Sequence, residues 1–386
     1  MIKFIIYLII SSISTFFSAH SSDASKVQPA KKDSLVTISI SAVGDLMCHS
    51  VQFDYARTST DSFDFNPTFS LVNRYLSLSD IACGNLETVT AGKKSRYTGY
   101  PNFNTPDEFV DAIKNAGFNL LFTSNNHALD RGEKGVKKTI NLIRKSGLNQ
   151  TGTFLSQRDR DSVRIINIKG ISAAFLAYSY GVNGHHIPKS SPYIINIIDT
   201  SLIRSDIAAA RKMGAELVIL YFHFGEEYHR EPSSYQKEIV NTAIKDGADI
   251  ILASHPHVVE PAGSFKTYGG SLDTGFVVYS LGNFISNQRK RYTDGGVILT
   301  INITKDLSRD SLYISGVRYL PTWVYKGEYG GKRQFIIIPD DSLYVSAIKP
   351  YLSPSEYSQM VRSFGDTESI LDIQPENDRN LENQTN

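Results

Sequence analysis

From residue 35 onward, apolar runs rich in β-branched residues alternate with segments whose apolar positions recur every three or four residues. Several of these runs lack a polar residue at every second position, which is typical of strands covered on both faces. The predicted strands are residues 36–43, 81–83, 120–122, 163–168, 171–178, 217–222, 250–253, 276–279 and 297–303, with further strands within 310–340. The predicted helices are residues 106–116, 133–146, 202–213, 234–245 and 353–364. This alternation predicts an α/β sheet protein.

The ends of the predicted helices carry their own signals. A glycine, the residue that most readily ends a helix in the left-handed conformation, follows each of the first four helices. These glycines are Gly117, Gly147, Gly214 and Gly247. Ser353 followed by Pro354 marks the start of the last helix, because serine caps a helix N-terminus and proline suits the first turn.

Residues 1–24 have the pattern of a secretory signal peptide or an N-terminal anchor. One lysine precedes an apolar run at residues 4–10, and the stretch that follows is interrupted by serines and a threonine. A membrane span needs about 20 predominantly apolar residues, so a signal peptide is favoured and an uncleaved anchor is the alternative. Residues 25–34 form a polar tether, 35–370 the folded domain and 371–386 a polar tail predicted to be disordered. We therefore expect an exported protein, located in the periplasm or at the cell surface.

Polar residues with metal-binding or acid–base chemistry follow six of the predicted strands. The carboxyl ends of strands form the edge of an open α/β sheet at which ligands bind, so we expect these side chains to meet there. They are Asp45, Glu87, Asn126 with His127, His223, His255 with His257, and Asn283.

The residue types match a site for two divalent metal ions. Such sites combine a carboxylate able to bridge, neutral imidazoles, and an amide oxygen that limits the total charge. Asp45 and Glu87 supply carboxylates, and Asn126 supplies an amide oxygen. In an extended segment, the two histidines of the His-Pro-His sequence at 255–257 project to one side, toward one ion or toward two adjacent ions. Mn, Fe or Zn would suit these ligands.

Each of these residues also has an interpretation without a metal. Asp45 suits an ordinary turn, Asn126 suits a helix cap, and His223 suits a hydrogen-bonded core position. Six separate coincidences at one sheet edge would be needed, however, so the combination favours a metal centre.

Asp130 has two interpretations of its own. Together with Glu133 it has the spacing of a capping box at the start of helix 133–146. It also lies three residues after His127, a position from which its carboxylate could orient that imidazole for catalysis.

Composition argues against one class of partner, nucleic acid, but does not decide whether the two cysteines are paired. Lys and Arg together number 40 against 39 Asp and Glu, so the net charge indicates no nucleic-acid partner. Hydrophobic residues at 41% and charged residues at 20% are typical of a soluble globular domain. Cys48 and Cys83 could pair in an exported protein, but the simpler interpretation is two small buried apolar side chains.

Taken together, the segments around these residues resemble the CapA-like, poly-γ-glutamate capsule-synthesis proteins, a branch of the calcineurin-like metallophosphoesterase superfamily. The resemblance extends over about residues 36–305. It rests on GDLM at 44–47, NLE at 85–87, NNHALDRG at 125–132, HFGEEY at 223–228, GAD at 247–249, HPH at 255–257 and YSLGNF at 279–284.

The resemblance implies a four-layer α/β/β/α sandwich of the metallophosphoesterase type with a dinuclear metal centre. Asp45 would be the bridging carboxylate, and His127 the general acid beside the metals. The remaining metal ligands would be Glu87, Asn126, His223, His255 and His257. The substrate-binding residues would be Glu226, Tyr228, Gln236 and Asn283.

The sequence departs from the superfamily pattern at two places. The superfamily opens with Asp-x-His, but Met47 occupies the histidine position and His49 lies two residues later. Ala253 and Ser254 replace the first residues of the family's Gly-His-His-Pro-His pattern. The first metal therefore lacks one expected ligand, whereas the final His-Pro-His is retained.

Three functions are compatible with these residues. The first is a role in the synthesis or processing of an anionic capsule polymer such as poly-γ-glutamate, together with membrane-bound capsule-synthesis proteins. The second is metal-dependent hydrolysis of an extracytoplasmic phosphoester, in which His127 protonates the leaving group. The third is a polymer-binding module without catalytic activity.

Overall fold

Strands in the computed structural model, which describes residues 34–371, form two large sheets and one small hairpin. The strands are β1 (Leu35–Leu46), β2 (Arg57–Ser59), β3 (Ser62–Phe63), β4 (Ile81–Leu86), β5 (Leu120–Phe122), β6 (Asn149–Thr151), β7 (Arg164–Ile168), β8 (Ile171–Ser179), β9 (Leu217–His223), β10 (Ile250–Ser254), β11 (Ala262–Lys266), β12 (Thr274–Val278), β13 (Asn283–Ile285), β14 (Gly295–Asp306), β15 (Ser311–Tyr329) and β16 (Lys332–Pro339).

Ten α-helices connect and cover these strands within the described residues. They are α1 (Ser50–Ala56), α2 (Asn66–Phe69), α3 (Asn73–Ser77), α4 (Glu108–Asn115), α5 (Gly132–Lys145), α6 (Gln157–Asp161), α7 (Thr200–Lys212), α8 (Ser234–Lys245), α9 (Ser342–Ile348) and α10 (Pro354–Leu371).

The first sheet has the order β16-β15-β14-β1-β4-β5-β6, with β13 also paired to β1, and the second has the order β11-β12-β10-β9-β8-β7. In the first sheet β1, β4, β5 and β6 are parallel, and in the second β8, β9, β10 and β12 are parallel. Each sheet therefore has several strand ends at one edge, the arrangement expected to position a ligand site.

The two sheets pack face to face, and helices cover their outer faces. Between the sheets, Phe122 of β5 stacks on Tyr221 of β9 with ring centroids 4.4 Å apart. Val43 of β1 faces outward instead, into a core with Ile113 of α4, and β9 is covered on its outer face by α7 and α8. This is the four-layer α/β/β/α sandwich that the sequence predicted. The burial of both faces explains the nearly continuous apolar runs.

All nine individually predicted strands are present, with ends shifted by a few residues, and residues 310–340 contain the hairpin of β15 and β16. The glycines predicted to end four helices all have positive φ angles, between 76° and 106°. Ser353 caps α10 as predicted, accepting a hydrogen bond from the backbone N–H of Glu356 at 3.3 Å. The pattern missed the short strands β2, β3, β6, β11 and β13, because segments of two to five residues carry too little periodicity.

The predicted signal or anchor (1–24), the tether (25–34) apart from Ser34, and the tail (371–386) apart from Leu371 lie outside the described residues. Among residues 34–371, every helix is too short or too polar to cross a membrane.

Cys48 and Cys83 are free and fully buried, as the simpler interpretation predicted. They lie in different cores. Cys83 points between the two sheets, whereas Cys48 packs beneath the outer helices of the first sheet.

Candidate metal centre

The predicted site residues meet where the carboxyl ends of the parallel strands of both sheets converge. Asp45 near the end of β1 is in register with Asn85 of β4 and Asn283 of β13. The close approach of β1 to residue 282 requires a glycine at position 44, since a Cβ atom there would lie 1.9 Å from the Gly282 carbonyl oxygen. The second sheet contributes His223 at the end of β9.

Asp45 is fully buried, and each of its oxygens has protein partners. Its Oδ1 accepts a hydrogen bond from Asn85 Nδ2 at 2.8 Å and another from the Ser254 hydroxyl. Its Oδ2 lies 3.2 Å from His257 Nδ1. Burial alone would raise the pKa of Asp45, but the hydrogen bonds from His257 and Ser254 hold it well below its ordinary value. Asp45 is therefore an ionised carboxylate.

Glu87, directly after β4, has the opposite environment. It is fully buried, and neither carboxylate oxygen has a hydrogen-bond partner among the described residues. Burial and the negative charge of Asp45 raise its pKa well above the ordinary value. A buried carboxylate without partners is costly, and a bound cation would remove that cost.

Two groups of potential metal ligands share Glu87. One consists of Glu87, His223 and His255, and the other of Asp45, Glu87 and His257, with the ligand atoms of each group within 4.8 Å of one another. Glu87 is therefore common to both groups, whereas Asp45, which the resemblance implies as the bridging carboxylate, belongs to one of them. Asn126 completes the first group, because its Oδ1 lies 3.0 Å from His223 Nε2.

The His-Pro-His segment is not extended as expected. His255 and His257 have φ angles of +117° and +60°, a strained region for residues other than glycine. Their rings lie 6.0 Å apart, one in each ligand group. The two histidines therefore belong to different groups of potential ligands.

His223 and His255 have the protonation state that metals require. Burial, reinforced by neighbouring His257, lowers the pKa of His255 to about 3, and burial with His255 likewise lowers that of His223. Both imidazoles are therefore neutral, the form that coordinates metal. His255 Nδ1 is also buried without a hydrogen-bond partner among the described residues. These unpartnered donor atoms and the oxygen–nitrogen ligand set fit two divalent ions.

His127 and Asp130 form a buried pair beside the two ligand groups. His127 Nδ1 lies 2.8 Å from Asp130 Oδ2, and its Nε2 is 3.4 Å from Asn183 Nδ2. Asp130 does not cap α5: that helix begins at Gly132, with Arg131 at the cap position and no side-chain capping bond. The capping-box prediction is wrong, because the Asp130 carboxylate instead binds His127 and the backbone N–H of Phe103.

The residues predicted to bind substrate divide into two kinds. Glu226 and Tyr228 are exposed, and the Tyr228 ring lies 6.1 Å from the His257 ring. Gln236 and Asn283 are fully buried and hydrogen-bonded within the protein. Gln236 donates to Glu260 and caps α8, whereas Asn283 Oδ1 lies 3.1 Å from His257 Nδ1. Neither residue has an exposed group, and of the two only Asn283 contacts a potential metal ligand among the described residues.

His49 does not replace the histidine ligand that the superfamily pattern expects at position 47. Met47 is buried, and the nearby His49 uses its Nδ1 for Gln52 and for the backbone N–H of Asn287. Neither ligand group found among residues 34–371 includes His49.

Three exposed tyrosines lie at the site, and only Tyr228 among them was predicted. Tyr100, Tyr180 and Tyr228 are 73%, 40% and 51% exposed, and each ring lies within 6.5 Å of a different site histidine. They come from three separate loops, so nothing in the local sequence indicates that they meet. We refer to them as the tyrosine rim.

Ser254 and Asn85, which were also missed, form the polar support of Asp45. Asn85 reaches both Asp45 and His223, and Ser254 links Asp45 to the hydroxyl of Tyr221. The sequence indicated these two residues only by their position one or two residues from a predicted ligand.

Comparison with known proteins gives a consistent result. A family model described as "Bacterial capsule synthesis protein PGA_cap" matches residues 39–288. The capsule biosynthesis protein CapA of Bacillus anthracis is 30% identical over 269 residues, covering 68% of this chain and 63% of that protein. The PGA biosynthesis protein CapA of Bacillus subtilis (strain 168) is 28% identical over 295 residues, covering 75% and 73%. This chain thus spans less than two thirds of the Bacillus anthracis relative.

Among solved structures, the NAD nucleotidase of Haemophilus influenzae is similar with a TM-score of 0.46 and 15% identity, covering 87% of this chain and 63% of that one.

Proposed function

This chain belongs to the family of bacterial capsule synthesis proteins, and on that premise we propose that it is an exported, metal-dependent protein acting on an anionic capsule polymer. The polymer that fits best is poly-γ-glutamate, because one related protein is described as a PGA biosynthesis protein. The apolar run within residues 1–24 supports export. Membrane-bound capsule-synthesis proteins are the expected partners.

The observation that carries this proposal is the position of Glu87. Its two oxygens are buried and have no hydrogen-bond partner among the described residues, and the residue is common to two groups of potential ligands. We infer that Asp45, Glu87 and His257 would hold one divalent ion, and that Glu87, Asn126, His223 and His255 would hold the other. Bound ions would supply Lewis acidity toward an anionic oxygen donor, which carboxylates of a polymer and phosphoesters both are.

Other side chains would hold the acid–base group in place and keep water away from the reacting atoms. Asp130 fixes the His127 ring through Nδ1, so that Nε2 is the nitrogen left to exchange a proton with a substrate atom. Asn183 lies against Nε2 and would give way to the substrate. The tyrosine rim lies beside the site histidines, where its rings would exclude water from the reacting groups.

A metal-dependent phosphoesterase is the second candidate function. It is favoured by the His127–Asp130 pair, because an imidazole oriented by a carboxylate suits protonation of a leaving oxygen. A binding module without activity would not require such a pair.

The test begins with metal analysis of the purified protein, which should contain close to two equivalents of divalent metal. Wild type, His257→Ala and the matched control His186→Ala, an exposed histidine, are then assayed on poly-γ-glutamate and on an aryl phosphodiester. We expect polymer cleavage or transfer that His257→Ala and chelator abolish and His186→Ala retains. Activity on the phosphodiester alone would support the second candidate. Metal-dependent polymer binding without turnover would identify a binding module.

A further inference from the structure

A cavity of about 120 Å³ lies between α10 and the loop 286–294 that precedes β14. Three arginines, Arg289, Arg291 and Arg362, line it together with Asp294 and Asp366. This concentration of guanidinium groups contrasts with the balanced charge of the whole chain.

Asp294 and Asp366 face the three arginines, and Glu356 also acts on Arg289 through its charge. Asp366 is held by a two-point contact with Arg291, Nε to Oδ2 at 3.0 Å and Nη2 to Oδ1 at 2.8 Å. Asp294 accepts a hydrogen bond from Trp323 Nε1 at 2.8 Å. Among the described residues, no acceptor takes a hydrogen bond from Arg362. An anion entering the cavity would therefore meet guanidinium donors that remain available.

The Arg291–Asp366 contact also shows which ligand chemistry the cavity can accommodate. A guanidinium with two parallel N–H groups matches the two oxygens of a carboxylate, and such charge-assisted pairs are stronger than neutral hydrogen bonds. A ligand carboxylate beside Arg362 would make the same kind of contact that Asp366 makes with Arg291.

Two loops connect this cavity to the metal centre. Tyr228 of the rim and Arg230 lie two residues apart, and Arg230 donates to the backbone oxygen of Asp366 at the cavity wall. On the other side, Asn283 Nδ2 donates to the carbonyl oxygens of His257 and Thr293, at 3.3 and 2.9 Å. Thr293 directly precedes the cavity residue Asp294. The cavity thus borders the loops that carry Tyr228 and the residues after Asn283, both of which also contribute to the metal centre.

We propose that this arginine cavity is a second subsite, which binds a carboxylate of the anionic chain whose reacting part lies at the metal centre. The inference rests on the proposed function, because a chain with repeated carboxylates is the substrate that can occupy both places at once. A substrate with a single anionic group would reach only one of them.

The test measures binding of fluorescently labelled poly-γ-glutamate to the full-length protein by anisotropy. The double variant Arg291→Gln/Arg362→Gln should raise Kd about tenfold, the loss expected for one charge-assisted contact. Arg309→Gln removes one charge from a side chain that is 82% exposed in the turn after β14, and it should leave Kd unchanged. The single variant Arg362→Gln breaks no described hydrogen bond and should therefore fold. It should also raise Kd, which keeps the test valid if the double variant does not fold.

Two further arms identify the ligand and separate this inference from the proposed function. Free glutamate should bind wild type much more weakly than poly-γ-glutamate does, because it cannot span both places, and equal affinities would overturn the two-place assignment. An equal loss of polyphosphate affinity would overturn the assignment to carboxylates, and unchanged poly-γ-glutamate binding would overturn the subsite. Processing that requires metal but not the arginines would leave the proposed function standing. Arginine-dependent binding without any metal-dependent processing would leave only the subsite.

Discussion

The Oε1 atom of Glu87 lies 3.6 Å from the Nε2 atom of His223, and burial keeps both atoms away from water. His223 is neutral because burial lowers its pKa, so it does not compensate the carboxylate with a positive charge. Without a cation, Glu87 therefore favours its protonated form; with a divalent ion, the carboxylate and the imidazole become ligands of the same metal.

The first prediction concerns Glu87→Gln. The variant should fold, because a neutral amide replaces a carboxyl group that favours its uncharged form without a cation, but it should lose metal and the stabilisation that metal provides. For wild type, metal at a hundredfold excess over Kd should raise the free energy of unfolding by about 2.7 kcal/mol. Denaturant titrations with and without metal measure this difference. Glu238→Gln, at an exposed position of α8, should respond to metal as wild type does.

The second prediction concerns His127→Gln under the phosphoesterase alternative. Loss of a general acid should lower kcat by about 10²-fold or more for a substrate with a poor leaving group, and much less for one with an acidic leaving group. Steady-state kinetics on two aryl phosphodiesters measure the contrast. Metal content should remain that of wild type. An equal loss with both substrates would show that His127 does not protonate the leaving group.

The third prediction is a pH dependence of stability due to Glu260. Burial raises the pKa of Glu260 from 4.5 to about 8, despite the hydrogen bond from Gln236. The folded state therefore retains a proton that the unfolded chain loses above about pH 4.5, so this contribution to stability is complete below that pH. It is lost as the pH rises through about 8.

Glu260→Gln should remove this dependence, making the slope of unfolding free energy against pH shallower by about 1.4 kcal/mol per pH unit between pH 5 and 8. Urea titrations at several pH values give the slope. Glu238→Gln is again the control, and a slope equal to that of wild type in Glu260→Gln would contradict the assignment.

The fourth prediction concerns the support of Asp45. Ser254 donates to Asp45 and also contacts the hydroxyl of Tyr221. Ser254→Ala should cost about 1–3 kcal/mol, because it leaves the Tyr221 hydroxyl buried without a partner. In a double-mutant cycle with Tyr221→Phe, the combined loss should be smaller than the sum of the single losses. Additive losses would show that the two hydroxyls are energetically independent.

The fifth prediction concerns the thiols. Cys48 and Cys83 are free and buried, and burial raises the pKa of both thiols. An aromatic disulfide reagent should react with neither thiol in the native protein and with both after denaturation without reductant. Absence of reactive thiols in the denatured protein would indicate a disulfide.

Much of the fold could be predicted because its strands are covered on both faces. Strands such as 217–222 and 250–253 are apolar without interruption, and the glycines after the helices have the backbone conformation that ends a helix. The short strand Asn283–Ile285 could not be found in the same way. Its pairing with β1 depends on residues far away along the chain.

The site was predictable only as a set of residue types. Asp45 and Glu87 lie at the carboxyl ends of neighbouring parallel strands, so parallel pairing alone brings them to one edge, whereas His255 follows a strand of the other sheet. Which of these residues belong to the same ligand group depends on the second sheet. Contact with the histidines of that sheet leaves Glu87 common to both ligand groups, and the buried Asp130 carboxylate finds His127 instead of the start of α5.

By itself, the amino-acid sequence determined the α/β architecture, the segments that form the site and the family, because these depend on local periodicity and on motifs contiguous in the chain. Only the tertiary structure decided that Glu87 is the shared carboxylate, that Gln236 and Asn283 are interior supports, and that the tyrosine rim and the arginine cavity exist. Each of these depends on how the two packed sheets and their loops bring distant side chains together, and on which polar atoms burial leaves without a partner.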